Sequence, residues 1–452
     1  MPPAKSLGVV DVVISASQGS LLQTAKKQGY RVYVEVDPER ANAEAKASSK
    51  MGLSGLIIGY AAGPEGSTST PAAQDGSAEA LIKRLRSAYP SLDVRLLQPG
   101  GKQPQMRGTM VLGKNRVFQV SSATHQPWID SNVALIRFER AYDPGEKPLF
   151  DFKWDLVDSV EQRYGPPPEA YELAVAEAGA FHADVILPLH RHFQDGLAEG
   201  KPQAWKAWSG ILRTIRFCAQ DSDHSGQVDH LVANVGVFTG DYANSYEEVN
   251  LMARHNIPYR VLPPRELTAD HLHGMAMIVV FSPLDRAAED AVQQVAENGG
   301  AAVLVGQQGN FPWHTSPPAR KNDESAVYKV GSGKIVEVST PILNPEPFAK
   351  DVWRLLSPPD RELTLWNALT TLAAAYETKD ASTVQINLVN YSLTPLRVQA
   401  RVKGTFSRIR VATPGRGCCV SLAPVVSDGF TGFVVPEFRV GARVDLSNVG
   451  LR

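Results

Sequence analysis

Eight short apolar runs punctuate the first 190 residues, and the stretches between them have a helical pattern. The runs are Val9–Ala16, Arg31–Asp37, Leu53–Tyr60, Val94–Gln98, Val117–Ser121, Pro127–Asp130, Leu149–Lys153 and Val185–His190. Several are rich in Val and Ile without clean polar alternation, as strands buried on both faces should be. Helix-like stretches such as Ser20–Gln28, Pro38–Ser49, Ala78–Ala88, Val133–Tyr142 and Glu169–Phe181 lie between them. This alternation demands a largely parallel sheet, and eight such units match an α/β (β/α)8 TIM barrel. That fold usually takes about 250 residues, so some connecting helices must be small or absent. A doubly wound open sheet is the alternative.

The pattern changes twice further on. Trp205, Trp208, Leu212 and Ile215 recur at helical spacing, and the polar stretch Gln220–Gly226 then marks a boundary. A second α/β region follows, with strands at Val232–Phe238, Tyr259–Leu262, Met277–Phe281 and Ala301–Val305 and helices at Ser245–His255 and Ala287–Glu297. Gly299-Gly300 is its clearest helix stop. It reads as a flavodoxin-like domain ending near Pro345. From about Asp360 the strands become short and turn-separated, at Val384–Asn390, Leu396–Lys403, Ser407–Val411, Phe433–Val435 and Arg439–Leu446. This is the signature of a small antiparallel β-sandwich. The expected domains are therefore residues 1–225, 226–345 and 346–452 of the 452-residue chain.

Composition narrows the partners. Lys+Arg is 46 against Asp+Glu 47, a net charge of −1. A nucleic-acid or anionic-membrane binder wants a basic excess, so neither partner is expected. No run reaches the roughly 18–20 apolar residues of a membrane span, and the first residues carry no signal-peptide pattern. Export with a signal already removed remains open, so the compartment is undecided. The three cysteines, Cys218, Cys418 and Cys419, form neither a zinc ribbon nor a disulfide framework.

The order of barrel, α/β domain and β-domain resembles the multidomain glycoside hydrolases in which a catalytic barrel precedes a β-galactosidase trimerisation-like domain. That middle domain is in turn similar to class I glutamine amidotransferases. The local match is Tyr246-Glu-Glu-Val-Asn-Leu-Met-Ala-Arg-His-Asn-Ile-Pro-Tyr-Arg-Val-Leu262, then Ser282-Pro283 and Gly299-Gly-Ala-Ala-Val-Leu-Val305. In the tail it is Asn387-Leu-Val-Asn-Tyr391 and Phe433-Val-Val-Pro436. The resemblance implies a carbohydrate substrate and self-association. A glutaminase needs a nucleophilic cysteine on a strand-to-helix turn. No cysteine lies between Cys218 and Cys418, and the turn after Val305 reads Gly306-Gln-Gln-Gly309, so the middle domain is expected to be silent as a glutaminase.

A (β/α)8 barrel builds its active site at the C-terminal ends of its strands. The polar residues ending the runs include Glu35, Tyr60, Gln98, His125, Asp130, Asn132, Asp151, Lys153, Asp155 and His190, with Lys102, Trp128 and Trp154 beside them. Glycoside hydrolysis needs two carboxyl groups across the scissile bond. Runs two and six lie on opposite sides of an eight-stranded barrel, so Glu35 and Asp130 are the expected catalytic pair, with Asp151 and Asp155 in reserve. Glu35 is the expected acid, because Val34 and Val36 hint at desolvation. Tyr60, Gln98, Lys102, His125, Trp128, Asn132, Lys153, Trp154 and His190 are the expected substrate contacts.

Structural readings stand beside each of these. Lys153 can pair with Glu35 or Asp151 inside the barrel. Asp130 or Ser131 can cap the helix beginning at Val133. Trp128 and Trp154 can be core residues, and Asp37-Pro38 is a helix start. No metal motif, phosphate loop or serine-hydrolase elbow is present, so neither a metal nor a cofactor is expected. The expected function is hydrolysis of a poly- or oligosaccharide. The alternative is a degenerate glycosidase that binds glycan or serves as an assembly scaffold.

Overall fold

The structure is a computed structural model that describes residues 1–59, 77–107, 110–112, 118–120, 128–222, 228–240, 242–342, 344–378, 382–416 and 419–448. Two compact units emerge. The first comprises residues 1–105 and 145–220, the second residues 106–144 and 221–452.

The first unit is built on a six-stranded sheet. Its strands are β1 (Asp11–Ser15), β2 (Arg31–Val36), β3 (Gly55–Gly59), β4 (Asp93–Gln98), β5 (Leu149–Phe150) and β6 (Asp184–Val185). They lie side by side in chain order and every pairing is parallel. Sequential order has no switch point, so the sheet is wound in one direction, as in a barrel, and curls into a half-barrel. Helices Gly19–Lys27, Ala41–Met51, Ser77–Ala88 and Pro168–Ala180 provide crossovers and cover. Gly52 stops the second of these, its left-handed backbone placing its N–H on the Ser48 and Ser49 carbonyls.

Alternation along the strands separates two faces. Ile14, Val32, Val34, Val36, Leu56, Ile58 and Val94 bury against the helices. On the other face Ile57, Leu97 and Leu149 form a small cluster with Val13, Tyr33 and Ile186. Polar links flank that cluster. Arg31 pairs with Asp11 at 2.6 Å, Tyr33 Oη donates to Asp93 at 3.2 Å, and Arg95 pairs with Asp184 at 2.8 Å.

Two of the eight expected barrel strands lie elsewhere. Phe118–Val120 pairs antiparallel with Met110–Leu112, and Trp128–Asp130 shares a two-stranded sheet with Gln105–Arg107. A parallel neighbour requires a crossover of a dozen or more residues. The gaps on either side of Phe118–Val120 are shorter than that, so these segments cannot continue the parallel sheet. They belong to the second unit.

The second unit contains a seven-stranded sheet and a sandwich. In the sheet, Tyr259–Leu262, Val235–Phe238, Met277–Val280, Ala301–Val305 and Gly333–Val338 are parallel neighbours in that order. The antiparallel strands Ser325–Val330 and Arg320–Lys321 close one edge. The first strand in sequence, Val235–Phe238, sits between the second and third, which makes the sheet doubly wound. Asp285 caps helix Arg286–Glu297 by accepting from the Ala288 N–H at 2.8 Å, and Gly299 follows the helix at φ +96°. The sandwich packs a six-stranded antiparallel sheet on a four-stranded one around Ile386, Val398, Val435 and Val444. Val228–Leu231, which precedes the α/β sheet in sequence, pairs antiparallel with Thr371–Thr378 of the sandwich.

Helix Val133–Tyr142 joins the α/β part of this unit. Tyr142 Oη donates to the Thr239 carbonyl at 3.1 Å, Arg265 donates to the Ala141 carbonyl at 2.8 Å, and the Arg137 guanidinium lies 4.3 Å from the Tyr259 ring centroid. Glu139 on this helix is 3% exposed, and burial, with Asp143 behind it, pushes its carboxyl up to about 7. The native state therefore holds a proton that the unfolded chain has released between pH 4.5 and about 7. Stability from this group is greatest below that window, falls as pH rises through it and is flat above it. The loss is on the order of 3 kcal/mol. Glu139→Gln is expected to flatten that decline, read from urea unfolding at pH 5 and pH 8. An equal decline in wild type and variant would contradict it.

Candidate active site

The C-terminal ends of the parallel strands bring one carboxyl pair to the open face of the half-barrel. Glu35 is the penultimate residue of β2, where the alternation that buries Val34 and Val36 turns its side chain to the other face. It is exposed, and its Oε1 lies 3.6 Å from where a Cβ on Gly59 of β3 would stand, so the side chain leans over the neighbouring strand. Asp151 follows β5 and is half-buried. Although Glu35 as a residue meets solvent, its carboxyl is partly withdrawn from water, which raises its pKa, and the charges of Asp151 and Asp37 raise it further. Burial also raises Asp151, but its own backbone N–H and the Lys153 ammonium pull it back. The Asp151 charge thus bears on Glu35, and the Lys153 charge bears on Asp151.

The backbone around Asp151 is tightly set. A Cβ on Gly101 would sit 2.0 Å from the Asp151 carbonyl oxygen. Only glycine lets this loop pass, and the same turn carries the exposed Lys102 past the strand end. Gln103 Oε1 accepts the Asp155 N–H at 2.7 Å, tying the two loops together. Asp155 is exposed on its loop rather than on a strand.

The other expected residues fall into different places. Trp154 is core: its ring meets Phe152 and Tyr171 edge-on at 4.8 and 4.9 Å, and its Nε1 donates to the Pro188 carbonyl. Gln98 is buried on the helix-facing side of β4 with Val94, so it does not face Glu35. His190 caps helix Arg191–Ala198, its Nδ1 accepting the His192 N–H at 3.3 Å, while its own N–H donates to Tyr171 Oη at 3.1 Å. Tyr60 and His125 lie outside the described residues.

Asp130 belongs to the second unit, apart from the parallel sheet. It is 5% exposed, ion-paired with Arg107, and accepts the Trp128 indole N–H at 3.0 Å. Trp128 in turn has the Arg254 guanidinium 5.5 Å from its ring centroid. Neither Asp130 nor Ser131 caps the following helix. Asn132 occupies the cap position without a side-chain cap bond, and Ser131 Oγ donates to Asn250 Oδ1 at 3.1 Å. These arrangements are those of a structural ion pair, as expected of a buried carboxylate held by an arginine. Among the described residues, no group of three or more His, Cys, Asp or Glu is arranged to hold a metal ion, and no helix is long and apolar enough to cross a membrane.

No protein-family profile matches the sequence, and no curated protein matches it. Solved structures do match in fold. An α-L-fucosidase isoenzyme 2 from Paenibacillus thiaminolyticus aligns over 99% of this chain and 95% of its own, at 10% identity and a TM-score of 0.58. Its fold is similar to this one along nearly the whole chain. The GH42 β-galactosidase Gan42B of G. stearothermophilus aligns over 99% and 95% at 9% identity and a TM-score of 0.55. A cold-adapted β-galactosidase from Rahnella sp. R3 aligns over 96% and 95% at 9% identity and a TM-score of 0.51. At these identities the likeness is one of fold.

The coupling at the rim is testable by carbon-detected NMR titration. Asp151→Asn removes a negative charge facing Glu35 and is expected to lower the Glu35 pKa. Lys153→Met is expected to raise that of Asp151. No movement in either would mean the side chains do not share a site. Gly101→Ala forces the loop off the Asp151 carbonyl and is expected to destabilise the first unit by roughly 1–3 kcal/mol, the usual cost of overpacking, measured by chemical denaturation.

Proposed function

We propose that this protein is a glycoside hydrolase whose working pair is Glu35 and Asp151. The observation that carries this reading is that both carboxyls stand near strand C-termini on the open face of one barrel-order sheet, each raised by burial, with the Asp151 charge raising Glu35 further. Glu35, raised by burial and by the Asp151 charge, serves as the proton donor to the leaving oxygen. Asp151, which the Lys153 charge favours as the carboxylate, serves as the base. The fold shared with a fucosidase and two β-galactosidases supports the reaction class.

The strand order bears on the stereochemistry. With β3 and β4 between them, Glu35 and Asp151 would be about 14 Å apart in a flat sheet. The curl of the sheet and the lean of Glu35 over Gly59 shorten that span. The wider separation of inverting enzymes, about 6.5–9.5 Å, suits the pair better than the roughly 5–5.5 Å of retaining ones. Water activated by Asp151 then attacks the anomeric carbon directly, and the glycosidic oxygen leaves with the Glu35 proton.

The same reading divides the chain into a barrel-derived domain over 1–225, an amidotransferase-like domain over 226–345 that lacks the nucleophile, and a sandwich over 346–452. Residues 106–144 form an excursion from the first that packs on the second. The doubly wound order around Val235–Phe238 supports the middle assignment.

One observation favours a second reading. The parallel sheet has six strands, and Asp130 is taken up by Arg107 and Trp128. A degenerate glycosidase that binds glycan without cleaving it would have this character. A screen of β-galactosides, α-fucosides and plant polysaccharides against wild type, Glu35→Gln, Asp151→Asn and Asp130→Asn separates the two. Hydrolysis lost about 10²–10⁴-fold in the first two variants and kept in Asp130→Asn is expected, with the newly released anomer inverted by proton NMR. Activity untouched by Glu35→Gln and Asp151→Asn would remove the assignment. Binding without turnover on any glycan would favour the scaffold.

A further inference from the structure

A cavity of about 550 Å³ opens in the second unit at the N-terminal ends of its parallel strands, where Asn234, Ala276 and Gly300 precede Val235, Met277 and Ala301. Doubly wound sheets take their ligands at the opposite, C-terminal edge, so the fold alone does not account for this space. Its size falls within the usual range of small-molecule sites. Leu272 and Val295 give it a small apolar base, and Asn234, Asp270, Gln294, Asn298 and Asp360 provide polar walls.

The electrostatics of those walls select the ligand. Helix Arg286–Glu297 turns its C-terminal, partially negative end to the cavity through Gln294 and Asn298. Two carboxylates line it as well. The ammonium of Lys403 at the wall is committed to Glu362 Oε1 at 2.9 Å. Asn234 Nδ2 donates to the Asp360 carbonyl, while its Oδ1 is buried with no partner among the described residues. The two carboxylates and the helix end therefore disfavour anions, while the Gln294 and Asn298 amides and the His273 ring offer donors as well as acceptors. A ligand rich in hydroxyl groups both donates and accepts, and brings no charge to oppose.

We propose that this cavity is a second carbohydrate site, which takes a small uncharged saccharide through Gln294 and Asn298. It stands independently of the chemistry at Glu35 and Asp151.

The test uses the full chain with Glu35→Gln and Asp151→Asn in place, so that no ligand is turned over. Calorimetry and thermal unfolding are run against galactose, glucose, mannose, fucose and lactose, with galacturonate as the charged control. At least one neutral sugar is expected to bind and raise Tm by a few degrees when present well above its Kd, and galacturonate at least tenfold more weakly. Gln294→Ala with Asn298→Ala is expected to weaken that binding tenfold or more. Both residues are exposed at a helix end, and the exposed Asp270→Leu is a second variant with the same expected loss should the first fold poorly. No binding by any neutral sugar, binding unchanged in both cavity variants, or galacturonate binding as tightly would overturn the proposal. None of these outcomes touches the hydrolase reading, which is judged by turnover in the unsubstituted protein.

Discussion

Winding the first sheet in a single direction is the constraint on which the rest of the first unit depends. Parallel strands joined by right-handed crossovers in sequential order put the covering helices on one face. Ile14, Val32, Val34, Val36, Leu56 and Ile58 bury against that cover. The other face is left with a modest cluster around Ile57, Leu97 and Leu149 and a fringe of Asp, Arg and Tyr links. Glu35 and Asp151 reach the top of that face because β-strand alternation leaves them no other direction. The chemistry proposed for them is a by-product of winding.

Much of the architecture is legible in residue pattern. Tyr259–Leu262, Ala301–Val305 and Leu396–Lys403 form strands with the bounds expected from their β-branched and apolar content, and Gly299 does adopt the left-handed turn that stops a helix. Val117–Ser121 and Pro127–Asp130 were not legible in this way: their apolar content matches barrel strands, and only the short linkers around Val117–Ser121, in which a parallel crossover does not fit, speak against it. Nor was Thr371–Thr378. Its run Leu372-Ala-Ala-Ala-Tyr376 favours helix by intrinsic propensity, yet it is a buried strand between Val228–Leu231 and Thr383–Asn390, where packing on both sides outweighs local preference. The hairpin Ser325–Val330 with Gly333–Val338 was missed for a different reason, as its strands mix lysine and glutamate with valine at a sheet edge.

The candidate site was legible in kind and less so in membership. Glu35 could be chosen because Val34 and Val36 flank it. Asp130 has the same credentials in sequence, a carboxylate after Trp128 and Ile129. What separates them is Arg107, more than twenty positions upstream, which reaches Asp130 through a two-stranded pairing that no local pattern announces. Trp154 and His190 were likewise drawn into core packing and helix capping by Tyr171, a residue with no sequence signal of its own. Gly101, which holds the backbone against Asp151, reads in sequence only as the second half of a Gly-Gly pair.

The placement of Val228–Leu231 has a consequence for how the chain is made. This strand is synthesised before the whole α/β layer, but its pairing partner, Thr371–Thr378, emerges after it. The sheet Val228 joins cannot close until Gly441–Ser447 has taken its place beside Thr383–Asn390. The doubly wound layer is thus nested within the sandwich, and it condenses on the ribosome while the strand preceding it still waits for a neighbour. A nascent chain stalled anywhere between Leu262 and Thr371 carries that edge unpaired, so the sandwich becomes resistant to proteolysis later than the doubly wound layer nested within it.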